Sequence, residues 1–164
     1  MAYVGRFATT RAKLATYLRR KLSEKDWESE RPPDIAALVE RLAALGYVDD
    51  AAFAVSKARA LGQRGFGERR VDQALRQAGV GESDSAPAID LAVSGATAAA
   101  VRYAQRRRIG PFALGGADPK RRDRAMSAMI RAGHSFDLAR RLVDLAPDPD
   151  ADPAELAQAL ESHH

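Results

Sequence analysis

Three kinds of residue in this chain could do chemistry: a carboxylate pair, a glycine-rich loop and clusters of arginine. The pair is Asp49-Asp50, which invites a metal or acid–base reading. Adjacent helical residues do not face each other, and no histidine or third carboxylate stands at ligand spacing. Capping a helix suits the pair better, because a short carboxylate accepts from the unpaired N–H groups of a first turn. In a basic chain it could also orient Arg69 or Arg70. The loop Gly62 to Gly67 (GQRGFG) has the glycine content of a phosphate cradle. It follows a helix rather than a strand and lacks the Lys-Ser/Thr of a P-loop, so it reads as an inter-helix turn with Arg64 and Phe66 exposed. His134 follows a glycine and reads as a surface or cap residue. No Ser/His/Asp arrangement and no zinc spacing is visible. The expectation is no catalytic residue, no metal, no cofactor and no enzyme.

The arginines carry more information. Basic residues cluster at Arg19-Arg20-Lys21, Arg69-Arg70, Arg106-Arg107-Arg108 and Lys120-Arg121-Arg122. The net charge is +4, from 26 basic and 22 acidic residues. Six of the acidic residues (Asp144, Asp148, Asp150, Asp152, Glu155 and Glu161) stand where no Lys or Arg follows, which leaves residues 1–143 at +10. A basic run is usually a solvated face. Four of them in one +10 body point to an acidic partner, either nucleic acid or a protein surface. Arg binds carboxylate and phosphate alike, so residue type does not separate the two.

Helices must position these groups. Leu14, Leu18 and Leu22 line one face of a helix over 10–25, and the charged stretch 26–33, with Trp27 placed to pack over the first core, is a loop ending in Pro-Pro. Asp34 caps a helix whose apolar set is Ile35, Leu38, Val39, Leu42 and Leu45. Gly46 stops it. Asp49 or Asp50 starts the next, with Phe53, Ala54, Ala58 and Leu61 inward. A helix over 68–78 stops at Gly79, a short one holds Ile89 to Val93, and another runs over 97–108. Asp118-Pro119 opens a helix to Ala132 that stops at Gly133. Ser135 caps the next, with Phe136, Leu138, Ala139 and Leu142 inward. Residues 147–153 (PDPDADP) read as linker, and 154–160 as a loose helix. No alternating strand pattern occurs, so the fold class is all-α.

Three phrases line up: LAALG ending at Gly46, LRQAG at Gly79 and MIRAG at Gly133, spaced by 33 and 54 residues. Each ends a core helix and precedes a cap. The spacing suggests three units of about three helices stacked in a row. The expected boundaries are 8–50, 51–95 and 96–146, with 147–164 an acidic Pro/Asp-rich tail.

The phrase Gly46 to Ala54 (GYVDDAAFA), with Tyr47, Asp49, Asp50 and Phe53, resembles the bacterial RecX family. The GQRGFG loop, Leu75 to Val80 (LRQAGV), Tyr103 to Arg108 (YAQRRR) and Lys120 to Ser135 (KRRDRAMSAMIRAGHS) extend the likeness over roughly 8–145. The resemblance implies tandem three-helix repeats in an elongated, curved molecule. It implies binding in the groove of the RecA–DNA filament and modulation, mainly inhibition, of recombinase and coprotease activity. The contact set would be the clustered cations together with Arg64. The rival reading is a helix-turn-helix type DNA-binding protein using the same clusters on single- or double-stranded DNA.

No apolar run approaches the roughly 20 residues of a membrane span, and the first residues lack a signal-peptide pattern. Cysteine is absent. A monomeric, cytoplasmic protein is the expectation.

Overall fold

A computed structural model describes residues 9–24, 33–115 and 118–162. Nine α-helices are described: α1 (Arg11–Ser23), α2 (Ile35–Ala44), α3 (Asp50–Gln63), α4 (Glu68–Gln77), α5 (Glu82–Ser94), α6 (Ala96–Arg107), α7 (Pro119–Arg131), α8 (Phe136–Val143) and α9 (Pro153–Glu161). A short 3-10 turn spans Gly110–Phe112, and no strand occurs among the described residues. Trp27 lies outside them.

Most starts are made by side-chain caps. Thr10, Asp34, Asp49, Asp118, Ser135 and Asp152 each accept a first-turn N–H through a side-chain oxygen. The glycine stops share one geometry. Gly46, Gly79 and Gly133 all have positive φ, at 75°, 73° and 94°. In each case the glycine N–H and the next N–H return to the last turn, as in Gly133 to Ile130 (3.0 Å) and His134 to Met129 (3.2 Å). Their places in the packing differ. Gly79 joins α4 to α5 and Gly133 joins α7 to α8, each inside one core, whereas Gly46 follows α2 and leads out to α3.

Three cores follow one another along the chain. Leu14 of α1 packs with Val39 of α2 and with Val48. Ala54, Ala58, Leu61, Val71, Leu75 and Ala88 fill the second core, between α3, α4 and α5. The third holds Ala100, Val101, Ala104, Met129, Leu142 and Leu160 from α6 to α9. The first and third share no residue, while Phe66 packs against both the second and the third. Contacts between the second and third units run from α3 and α5 to α6, as between neighbours in stacked repeats.

Several expectations change. Phe136 is 56% exposed and Leu45 62%, so neither faces a core; each stands at a helix edge where the apolar stripe has outrun its neighbour. The last helical residue of α6 is Arg107, and Arg108 takes the left-handed conformation at φ 55°. Residues 153–161 form the expected helix, but it is docked rather than loose. Leu156 and Ala157 pack against the third core with buried Leu160, and the Arg141 guanidinium donates to the Leu160 carbonyl at 2.7 Å. Ahead of that helix the Asp148 N–H donates to Pro111 O at 2.8 Å, so the proline-rich stretch before it is also anchored.

Candidate partner-binding surface

The GQRGFG loop is the point from which most of the surface is set. Gly65 adopts φ 77°, which turns the chain from α3 into α4. Its backbone runs against Tyr103, and a Cβ at Gly65 would lie 2.8 Å from the Tyr103 nitrogen. The Gly67 N–H then donates to Ala132 O at 2.9 Å, and the Arg69 N–H to Gly133 O at 3.3 Å. Main chain of the second unit is thus clasped to main chain of the third.

His134 completes the clasp. It is 2% exposed, so the surface reading fails. Its Nε2 lies 3.0 Å from Gly65 O, and a carbonyl can only accept, so Nε2 carries the hydrogen. The Nδ1 atom is buried with no hydrogen-bond partner, which suits a neutral ring. Burial pushes the His134 pKa below its ordinary 6.5, opposed by the bond to Gly65. Tyr103 meets the ring at a tilt of 58°, centroids 5.6 Å apart. Phe66, expected to be exposed, faces Tyr103 at 6.5 Å and seals the same joint.

Cations from three helices gather here. The Arg106 guanidinium of α6 donates to Arg64 O at the end of α3, and Arg102 donates to Gly62 O at 3.3 Å. The Arg64 guanidinium lies 5.4 Å from the Phe66 ring centroid, and that of Arg107 5.7 Å from Tyr103. Arg69 and Arg70 open α4 directly after the loop, exposed, with Arg70 donating to Gln73 at 2.7 Å. Arg64, Arg69, Arg70, Arg106 and Arg107 therefore frame one inter-unit joint.

The remaining clusters stand apart. Arg20 and Lys21 pair with Glu24 on α1, at 3.1 and 2.6 Å, and Arg19 is exposed beside them. Hydrogen bonding from Lys21 holds the Glu24 carboxyl below its usual range. On α7, Arg122 pairs with Asp144 at 2.7 Å and Arg121 donates to Leu114 O at 2.6 Å. Lys120 is exposed. A carboxylate thus meets two of the clusters, which the charge run alone did not suggest.

The first joint is built differently. Thr10 Oγ1 donates to Ala78 O at 2.6 Å, and the Arg11 N–H donates to Asp50 Oδ1 at 2.9 Å. Asp49 is the α3 cap, accepting from Ala52 N at 2.8 Å; Asp50 is not a cap but a buried acceptor, 4% exposed. It orients Arg11, not Arg69 or Arg70. The Arg11 guanidinium reaches Asp84 of α5 at 3.2 Å. Sequence reasoning missed Thr10, Arg11, Asp84 and Arg102; the only local hint was Thr-Thr-Arg at a helix start. Among the described residues no three His, Cys, Asp or Glu side chains form a metal-holding group, and no helix is long and apolar enough to cross a membrane.

These helices match known proteins. A family model described as "RecX, second three-helix domain" fits residues 49–88, which take in α3, α4 and the loop between them. A protein of Myxococcus xanthus named regulatory protein RecX is 34% identical over 154 residues, covering 88% of this chain and 82% of that one. The chain belongs to the RecX family. A namesake from Thermobifida fusca is 36% identical over 137 residues, covering 82% of this chain and 69% of the other. A solved structure titled regulatory protein RecX superposes with a TM-score of 0.62 at 20% identity, over 87% of this chain and 67% of that one, a likeness of fold. The RecX reading accounts for the tandem helical units and assigns the chain a regulatory role.

Proposed function

We propose that this RecX protein binds the RecA–DNA filament along its length and restrains recombinase and coprotease activity. What carries the reading is the joint between the second and third units. It gathers Arg64, Arg69, Arg70, Arg106 and Arg107 around one place, with the Arg106 guanidinium donating to the Arg64 carbonyl. The main-chain clasp beneath them keeps these cations in one neighbourhood, which lowers the cost of meeting a carboxylate or phosphate surface with several at once. With Arg19, Arg20 and Lys21 on the first unit and Lys120, Arg121 and Arg122 on the third, the cations would meet a repetitive partner at several points, and weak contacts would sum through effective concentration.

The test compares binding to ATP-bound RecA filaments on single-stranded DNA with binding to the same DNA alone, at two salt concentrations. Tighter binding to the filament, with suppressed RecA ATPase and strand exchange, is the expected result. Equal binding to bare DNA, with a steep salt dependence and no effect on RecA, would establish the DNA-binding reading instead. Exchanging Arg106, Arg107 and Arg108 for Glu should weaken filament binding while circular dichroism stays helical.

A further inference from the structure

A pocket of about 160 Å³ opens where the second unit meets the third, between α3, α5 and α6. Its lining comes wholly from residues 58–102, an unbroken described stretch. The floor is hydrocarbon: Ala58 and Val71, both buried, with Phe66 and Ala92 beside them. Leu91 continues this surface to the mouth and is 37% exposed. Arg59 and Gln63 stand one turn apart on α3, so they share one side of the rim. Arg102 reaches the rim from α6, its Nε donating to Gly62 O at 3.3 Å. That bond uses one N–H of the guanidinium fork and leaves the others for a ligand. No carboxylate lines the pocket, and among the described residues neither arginine forms an ion pair.

We infer that this pocket binds an acidic peptide segment by one apolar side chain, a phenylalanine or leucine held on the floor while flanking carboxylates meet Arg59 and Arg102. The floor and the rim ask for different groups at short range. Hydrocarbon walls stabilise a side chain in proportion to the apolar area removed from water. Arginines without an ion pair at the mouth favour a carboxylate, whose two oxygens match the guanidinium fork. An acidic segment with one apolar residue supplies both from adjacent positions. A nucleotide would supply the charge through its phosphate, but the polar edge of its base would lie unpaired against the floor. The pocket has walls from both units, α3 and α5 of the second and α6 of the third, so an occupied pocket would also hold that joint at one angle. The site does not rest on the filament reading, because it asks only for a peptide of this chemistry.

The test titrates the full chain into an end-blocked, fluorescein-labelled acidic peptide that holds one phenylalanine among glutamates, reading anisotropy. A second peptide carries alanine in place of the phenylalanine. The phenylalanine peptide should bind roughly tenfold more tightly. Arg59→Gln and Arg102→Gln should each weaken it about threefold. Ala92→Leu fills the pocket from its own wall and should bring the two peptides to equal affinity. Arg124→Gln, exposed on α7 and outside the pocket, should change nothing. Equal affinity of both peptides for the unaltered chain would overturn the site, leaving only a general attraction of acid for base. So would a phenylalanine preference that survives Ala92→Leu with Arg59→Gln silent, which would place the apolar contact elsewhere. Oligothymidylate bound by the chain alone, and lost on Ala92→Leu, would overturn the peptide reading in favour of a base. Circular dichroism and thermal melts of each variant separate loss of binding from loss of fold. Arg59 is exposed, so Arg59→Gln keeps the test open if Ala92→Leu unfolds the chain. Failure here, with filament binding intact, would leave the proposed function standing.

Discussion

The two joints of this molecule solve one problem with different atoms. Between the first and second units the contacts come from side chains: Thr10 to the Ala78 carbonyl, Asp50 to the Arg11 N–H, and Arg11 to Asp84. Between the second and third, two bonds run from main chain to main chain, Gly67 to Ala132 and Arg69 to Gly133, beside side-chain bonds from His134, Arg102 and Arg106 to the carbonyls of Gly65, Gly62 and Arg64. A side-chain joint depends on the identity of its polar groups. A backbone joint depends on the absence of side chains, because its strands of main chain must come within hydrogen-bonding distance. The first should therefore fail by removal of an atom and the second by addition of one.

Adding a methyl group should have the largest effect. Gly67 has an ordinary φ of −84°, so alanine meets no conformational penalty there, but its Cβ would fall on the Gly133 carbonyl. Gly67→Ala should cost roughly 3 kcal/mol through displaced backbone. Gly81→Ala, where a Cβ meets nothing within 4 Å, should be neutral or slightly stabilising in the same thermal melts. A similar loss in both would mean that the clasp is not what glycine serves at position 67.

Removing an atom comes next. Asp50→Ala strands the Arg11 N–H and should cost roughly 2 kcal/mol in chemical denaturation. Asp50→Asn keeps an acceptor and should lose less. Asp84→Asn touches only the half-exposed guanidinium pair, so a change of about 0.5 kcal/mol or less is expected. An Asp84 effect as large as that of Asp50 would shift the weight of the first joint from the buried bond to the ion pair.

Acid is the mildest perturbation, and it acts on the second joint. His134 is neutral in the fold with its pKa lowered below 6.5 by burial. The unfolded chain therefore takes up the proton first as pH falls. Stability should be flat above pH 6.5, decline as pH drops below it, and level off once the folded state also protonates. His134→Gln should remove that decline from a plot of Tm against pH. A decline unchanged by the substitution would place the titrating group elsewhere.

What could be read from the chain beforehand was chemistry confined to one turn of helix. Asp34, Asp118 and Ser135 were legible as caps, and Gly46, Gly79 and Gly133 as stops, because a cap or a stop is decided by neighbours within five residues. Four basic clusters were visible for the same reason. What they face was not. His134 is buried by Gly65, 69 positions away, and Asp50 is claimed by Arg11, 39 away. Nothing in the flanking residues of either reveals the partner. The three stops look alike, yet Gly46 lies between units while Gly79 and Gly133 lie inside theirs, since a local signal carries no record of which core the next helix joins. The segment 147–161 was underestimated because its acidic and proline content concealed a short apolar stripe, Leu156, Ala157 and Leu160, that only a neighbouring helix makes meaningful.

The clasp at Gly67 and Gly133 has a consequence for descent. The angle at a side-chain joint can drift by small exchanges, threonine for serine or aspartate for asparagine, each shifting the contact by fractions of an ångström. A joint of two main chains has no such gradation. It keeps its glycines and its angle, or it loses both together. Lineages of this molecule would then vary freely in how the first unit is set against the second, while the second and third travel as one inherited piece.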